Sequence, residues 1–193
     1  MNKPILVLAS TSPYRHQLLK QLGMGFICAA PQIDEQSLPG ELPAATALRL
    51  AQEKAAAIFA IHGKAVVIGS DQVANLHGKA LGKPYSAEAA FDQLSACSGQ
   101  SLVFHTGIAV ISPQGADYRL ITTQVRFRKL SEQQIRNYIK KEAALDCAGS
   151  FKCEGLGISL FESIESEDPT ALIGLPLISL TSLLMQHGLD PLE

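Results

Sequence analysis

Apolar residues along the chain follow two alternating patterns: short continuous or every-other-residue runs, and stretches with an apolar position every third or fourth residue. The first pattern marks strands and the second amphipathic helices. Strands are predicted over residues 4–9, 26–30, 65–73, 101–112, 118–130 and 156–164, and helices over 13–22, 44–61, 87–96, 132–140 and 177–187. Gly23 fits the C-cap of the first helix, and Ser131 with Gln134 three residues on forms a capping box for the fourth. Gln124, Arg126 and Arg128 alternate with Val125 and Phe127, as a half-exposed strand requires. The two longest strands flank Gly115 closely enough to pair as an antiparallel hairpin. The expected fold is therefore a single α/β domain whose mixed, twisted sheet is flanked by helices, with a ligand cleft at the strand ends. No repeat or low-complexity tract interrupts it, and residues 36–43, with their prolines and glutamate, read as a mobile loop rather than a boundary.

Composition narrows the class. At 193 residues and 47% hydrophobic, the chain has enough apolar material for one sizeable core, so residues 1–193 are assigned to one domain. A net charge of −2 and a pI near 6.2 provide no basic field for a nucleic-acid polymer. The start carries one lysine and only a strand-length apolar run, and nothing approaches about 18 consecutive apolar residues, so neither a signal peptide nor a membrane span is expected. A cytoplasmic protein is the expectation. Cys28, Cys97, Cys147 and Cys153 show no C-x-x-C spacing and are expected to be reduced and structural.

Four places carry chemistry. Ser10-Thr11-Ser12-Pro13-Tyr14-Arg15-His16 follows the first strand directly, with Ser12 placed to cap a helix and Pro13 to open it. Ser10, Ser12 and the Arg15 guanidinium surround a helix start that suits phosphate oxygens. Val66-Val67-Ile68-Gly69-Ser70-Asp71-Gln72 brings an acid to the end of a buried strand, and Gly82-Lys83-Pro84 follows it. Asp71 there can act as general base for a water or as a metal ligand. Lys54 falls in the middle of the apolar arc of the second predicted helix, among Leu50, Ala51, Ala55 and Ile58. An inward lysine needs an acid or a phosphate to meet it, and Asp71 and the Asp34-Glu35 pair are the available acids. Asp34-Glu35, in a loop after the second strand, can place a carboxylate beside Asp71 for a hard cation such as magnesium.

Leu8 to Arg15, Asp34-Glu35, Ala51-Gln52-Glu53-Lys54-Ala55, Gly69 to Gln72, Gly82-Lys83-Pro84 and Ala148-Gly149-Ser150-Phe151 resemble, in order and spacing, the motifs of the Maf-like nucleotide pyrophosphatases. The resemblance covers nearly the whole chain and is nearest to the branch acting on 7-methyl-GTP. It implies a fold like that of the inosine triphosphatases and hydrolysis of a nucleoside triphosphate to monophosphate and pyrophosphate. It also implies a homodimer, a divalent cation (magnesium, manganese or cobalt) on Glu35 and Asp71, water activation by Asp71, and phosphate contacts from Arg15, Lys54 and Lys83. Tyr14, Gln72 and Glu154 match the 7-methyl-GTP branch at positions that set substrate choice. An aromatic face attracts the cationic methylated guanine and a carboxylate accepts from its N1 and N2 hydrogens, which gives Tyr14 and Glu154 a physical rationale. Tyr14 stands where that branch usually has tryptophan, and His16 replaces a frequent arginine. Two other readings fit the same residues: the same chemistry on dTTP, UTP or modified pyrimidine nucleotides, and a nucleotide-binding regulator of cell division with little turnover.

Overall fold

The structure, a computed structural model, describes residues 4–142 and 144–193. Among these residues, seven strands form one sheet: β1 (Leu6–Leu8), β2 (Phe26–Cys28), β3 (Val66–Leu76), β4 (Lys79–Leu81), β5 (Ser101–Ser112), β6 (Gly115–Phe127) and β7 (Phe161–Ser166). The helices are α1 (Pro13–Leu19), α2 (Pro43–Phe59), α3 (Ala87–Cys97), α4 (Glu132–Glu142) and α5 (Leu177–Gln186). Strand order is β2-β1-β3-β5-β6-β7, with β4 folded back on the far end of β3; β2-β1-β3 is parallel and every other pairing antiparallel. The mixed sheet and the β5–β6 hairpin are as expected from sequence. So are the Gly23 cap, at φ 67°, and the reciprocal hydrogen bonds of the Ser131–Gln134 box.

Some boundaries are corrected. Residues 156–160, expected as strand, form a 3-10 turn, because Gly157 packs its backbone on the Lys152 carbonyl and the Leu156 amide donates to Glu142; the strand starts at Phe161. The last turn of the first helix is also 3-10, over Lys20–Leu22. β4 and a 3-10 turn at Pro169–Ile173 were not expected. Asp71 is not at the end of its strand, since β3 runs on to Leu76. It lies instead beyond the carboxyl end of the parallel part of the sheet, because β1 stops opposite Ile68 while β3 continues against β5 alone on that stretch. Residues 36–42 are held against α2 rather than loose, and Pro43 belongs to that helix.

The helices pack in two layers. On one face, α2 alone buries Ala51, Ala55 and Ile58 against Val7, Val67 and Ala109. On the other, α1 and α5 cover Leu6, Leu8, Ile68 and Ile108, while α3 and α4 cover the far ends of β3, β5 and β6 around Phe104, Phe127 and Phe151. The layer under α2 is unusually thin. A Cβ at Gly69 would stand 2.1 Å from the Ala51 carbonyl oxygen, and one at Gly107 2.4 Å from that of Ala47, so backbone lies directly on backbone there. Of the four cysteines, all unpaired, only Cys97 is core; Cys28 is exposed and Cys147 and Cys153 are half-buried in the cleft wall, which corrects the expectation of a structural role for all four.

Candidate active site

The close seat of α2 decides where its one buried charge goes. Lys54 is 5% exposed, and Gly107, the residue paired with Asp71 across β3–β5, leaves nothing between helix and sheet. Lys54 Nζ donates to Asp71 Oδ1 at 2.7 Å and meets Glu35 Oε1 at 3.0 Å. The inward lysine thus finds both acids, one from a strand and one from the loop before α2. Asp34 stays outside this group, and its Oδ1 accepts from the Gln36 amide.

These groups line a cavity of about 730 Å³ together with Ser10, Ser12, Tyr14, Arg15, Gln72, Lys83 and Glu154. The cavity opens where β1 ends. Successive residues of a strand face opposite sides of the sheet, so without a neighbour on that edge Asp71 reaches the cavity from the α2 side and Gln72 from the other. Ser12 caps α1 by accepting from the Arg15 amide at 3.4 Å, and Ser10 Oγ accepts from the Ser12 amide at 3.1 Å. Lys83 follows β4 on an exposed loop at the rim. His16 does not line the cavity; its ring stacks edge-on against Phe26.

A turn that the hydropathy pattern misses organises the floor. Main-chain carbonyls of the 3-10 turn after β7 accept from four side chains: Gly174 from Arg15 Nε at 2.8 Å and Ser70 Oγ at 3.0 Å, Ala171 from Gln72 Nε2 at 2.7 Å and Thr106 Oγ1 at 3.0 Å. Gln72 Nε2 also lies 3.1 Å from the Leu172 carbonyl. Gly174 has φ 119°, a region that favours glycine. Burial pulls the Arg15 guanidinium below its usual pKa, while Asp71 and Glu35 oppose that shift. Thr170 and Asp168 fasten the turn to α5 through the Leu177 and Ser179 amides. No sequence signal marked carbonyl acceptors, because every residue has one.

The opposite wall is looser. Tyr14 Oη donates to Asp146 Oδ2 at 3.4 Å, Lys152 Nζ lies 5.7 Å from the Tyr14 ring centre and 3.7 Å from Asp146 Oδ1, and exposed Glu154 sits beyond. Burial pushes the Cys147 thiol up to about 11 and the Cys153 thiol to about 12, so at neutral pH both are neutral wall rather than nucleophiles. Tyr85, at φ 57°, stands at the rim with its amide on the Leu145 carbonyl. Asp146, Lys152 and Tyr85 were missed from sequence, lying in irregular segments where periodicity says nothing.

Residues 5–187 match the family model described as Maf-like protein. The chain belongs to the Maf family. Among its Maf relatives are 7-methyl-GTP pyrophosphatases of Xanthomonas axonopodis pv. citri, 55% identical over 96% of this chain and 97% of that one, and of Aromatoleum aromaticum, 50% identical over 95% and 96%. The corresponding protein of Saccharophagus degradans is 49% identical over 97% and 96%. The Maf fold here also resembles the Staphylococcus aureus Ham1 protein, at TM-score 0.53 and 16% identity over 94% of this chain and 98% of that one. That likeness places the sheet and its helices in the same architecture, in agreement with the fold expected from sequence. Among the described residues, no helix is long and apolar enough to cross a membrane, and no group of three or more His, Cys, Asp or Glu is placed to hold a metal.

Proposed function

We propose that this Maf protein hydrolyses 7-methyl-GTP to 7-methyl-GMP and pyrophosphate, removing a modified nucleotide in the cytoplasm. The observation that carries the reading is the Glu35–Lys54–Asp71 set inside a cavity that also holds every other residue implied for this chemistry. Full-length relatives at 49–55% identity bear that activity in their names.

The chain supplies positioning and charge. Arg15, Lys54 and Lys83 offset the triphosphate charge, and Ser10 and Ser12 donate to its oxygens. Asp71, with Oδ1 held by Lys54, takes the proton of the water that attacks the α-phosphorus; the α–β bridging bond breaks and pyrophosphate leaves. Two carboxylates converging within 3.0 Å of one ammonium, Glu35 and Asp71, are oxygen donors of the kind a hard divalent cation takes. Glu35 and Asp71 would hold that ion, magnesium, manganese or cobalt. When bound it neutralises developing charge on the phosphates. Tyr14 offers its ring to the cationic base and Glu154 a carboxylate to the base edge; Gln72 supports the pocket through the turn it holds. A homodimer belongs to the same proposal, and light scattering of the purified protein tests it.

Pyrophosphate release with magnesium from 7-methyl-GTP, GTP, dTTP and UTP tests the whole. The expected result is a clear preference for 7-methyl-GTP. Preference for a pyrimidine nucleotide keeps the mechanism and removes the pocket assignment. Tight binding without release supports a regulator instead.

A further inference from the structure

Glu35 reaches Lys54 from an exposed loop, with a side chain 58% exposed and no regular element behind it. Something must fix that loop. One helical residue outside the cavity does so. Arg49 Nε and Nη2 grip both oxygens of Glu41, at 2.7 and 2.8 Å. Nη2 also donates to the Gln36 carbonyl at 3.0 Å, next to Glu35 in sequence, and Nη1 to Glu53 at 3.1 Å. Glu41 Oε2 in turn accepts from the Leu38 amide and from Thr46 Oγ1, each at 3.0 Å. Residues 36, 38 and 41 are thereby tied to one guanidinium, whose planar fork makes all these bonds at once where a lysine ammonium would not. Asp34 closes the other side of Glu35 by taking the Gln36 amide. The donor sits on α2, little more than a helical turn before Lys54, so one rigid element fixes both the lysine and the loop that brings it its second acid.

We propose that Arg49, through Glu41 and the Gln36 carbonyl, is a positioning residue that holds Glu35 in its working place. This deepens the pyrophosphatase reading and rests on it. Neither Arg49 nor Glu41 lines the cavity.

The test is a double-mutant cycle on the full chain with Arg49→Met, Arg49→Lys, Glu35→Gln and Arg49→Met/Glu35→Gln. Melting temperature is recorded throughout, and amide hydrogen exchange of residues 35–41 is followed in the nucleotide-free protein. Arg49→Met is expected to speed exchange in that loop. It should also raise the magnesium concentration needed for half-maximal pyrophosphate release about ten- to a hundredfold, with a smaller change in nucleotide KM. Arg49→Lys is expected to fall with Arg49→Met, and the effect of Arg49→Met is expected to vanish once Glu35 is already glutamine. Unchanged exchange, or equal losses with and without Glu35, overturns the proposal. If the wild type releases no pyrophosphate from any nucleotide, the hydrolytic reading fails by itself. The cycle is then read by calorimetric titration of manganese: a Glu35-dependent loss of manganese affinity in Arg49→Met supports positioning, and an unaltered titration overturns it.

Discussion

The two walls of the cavity are built on different principles. The phosphate side rests mainly on β3, α1 and α2, with Glu35 and Lys83 brought in by loops, and its buried groups are tied to one another or to main chain: Lys54 to two acids, Arg15 and Ser70 to the Gly174 carbonyl. The base side rests mostly on the irregular segment 144–154, whose Asp146 accepts from Tyr14 Oη of α1 at 3.4 Å and lies 3.7 Å from Lys152 Nζ, and whose Glu154 is exposed. Groups on regular elements are held to the tolerance that proton transfer and charge neutralisation demand, whereas groups on loops can change with little cost to the core. On the proposed function, the first wall would set whether the reaction runs, and the second on what.

Substitutions can break that division, beginning with the largest effect. Asp71→Asn keeps the shape and removes the proposed proton acceptor; turnover should drop about 10²- to 10⁴-fold while nucleotide affinity by calorimetry is retained. Retained turnover would take Asp71 out of the base role. Lys54→Met should also abolish useful turnover. It should also lower stability, by about 3 kcal/mol in urea titration and by more than Asp71→Asn, because it leaves buried Asp71 without a cation whereas Asp71→Asn leaves Lys54 its Glu35 partner. Gly107→Ala inserts a methyl against the Ala47 carbonyl and should cost about 2–3 kcal/mol while lifting Lys54 from the sheet. Tyr14→Ala should raise KM for 7-methyl-GTP about tenfold relative to GTP and leave the melting temperature alone. An equal change for both nucleotides would deny the ring its role in base choice. Smallest of all, Cys147 and Cys153, half-buried and raised by burial to about 11 and 12, should react with iodoacetamide at pH 8 more slowly than Cys28, which burial also raises but which is open to the reagent.

The same division explains what could be read from sequence. Lys54 was legible because a charge inside an apolar arc contradicts the helical pattern, and the contradiction asks for a partner. Ser12 and Pro13 were legible because capping is local chemistry. The position of Asp71 was half legible: its strand was clear, but its opening to the cavity depends on β1 stopping at Leu8, a fact about a neighbour 60 residues away in sequence. The carbonyls of the turn at Pro169–Ile173 were invisible, being common to all residues, and Lys152 and Asp146 had no period to stand out from. The loop at 36–42 looked free because the arginine that holds it lies on α2, whose polar face gives no sign of its target.

Asp71 and Gln72 are neighbours that serve opposite faces of the sheet at one opening. A one-residue change of length in β3 ahead of them would send each to the other face: loss turns the Gln72 amide toward Lys54 and Asp71 toward the Gly174 carbonyl, and insertion turns Asp71 toward the Ala171 carbonyl. Changes of side chain at the cavity can thus be sampled one at a time, whereas changes of length in β3 cannot. Length variation among descendants of this chain is expected to be excluded from residues 66–72 and admitted at the β5–β6 turn, where Pro113 and Gln114 face solvent far from the opening.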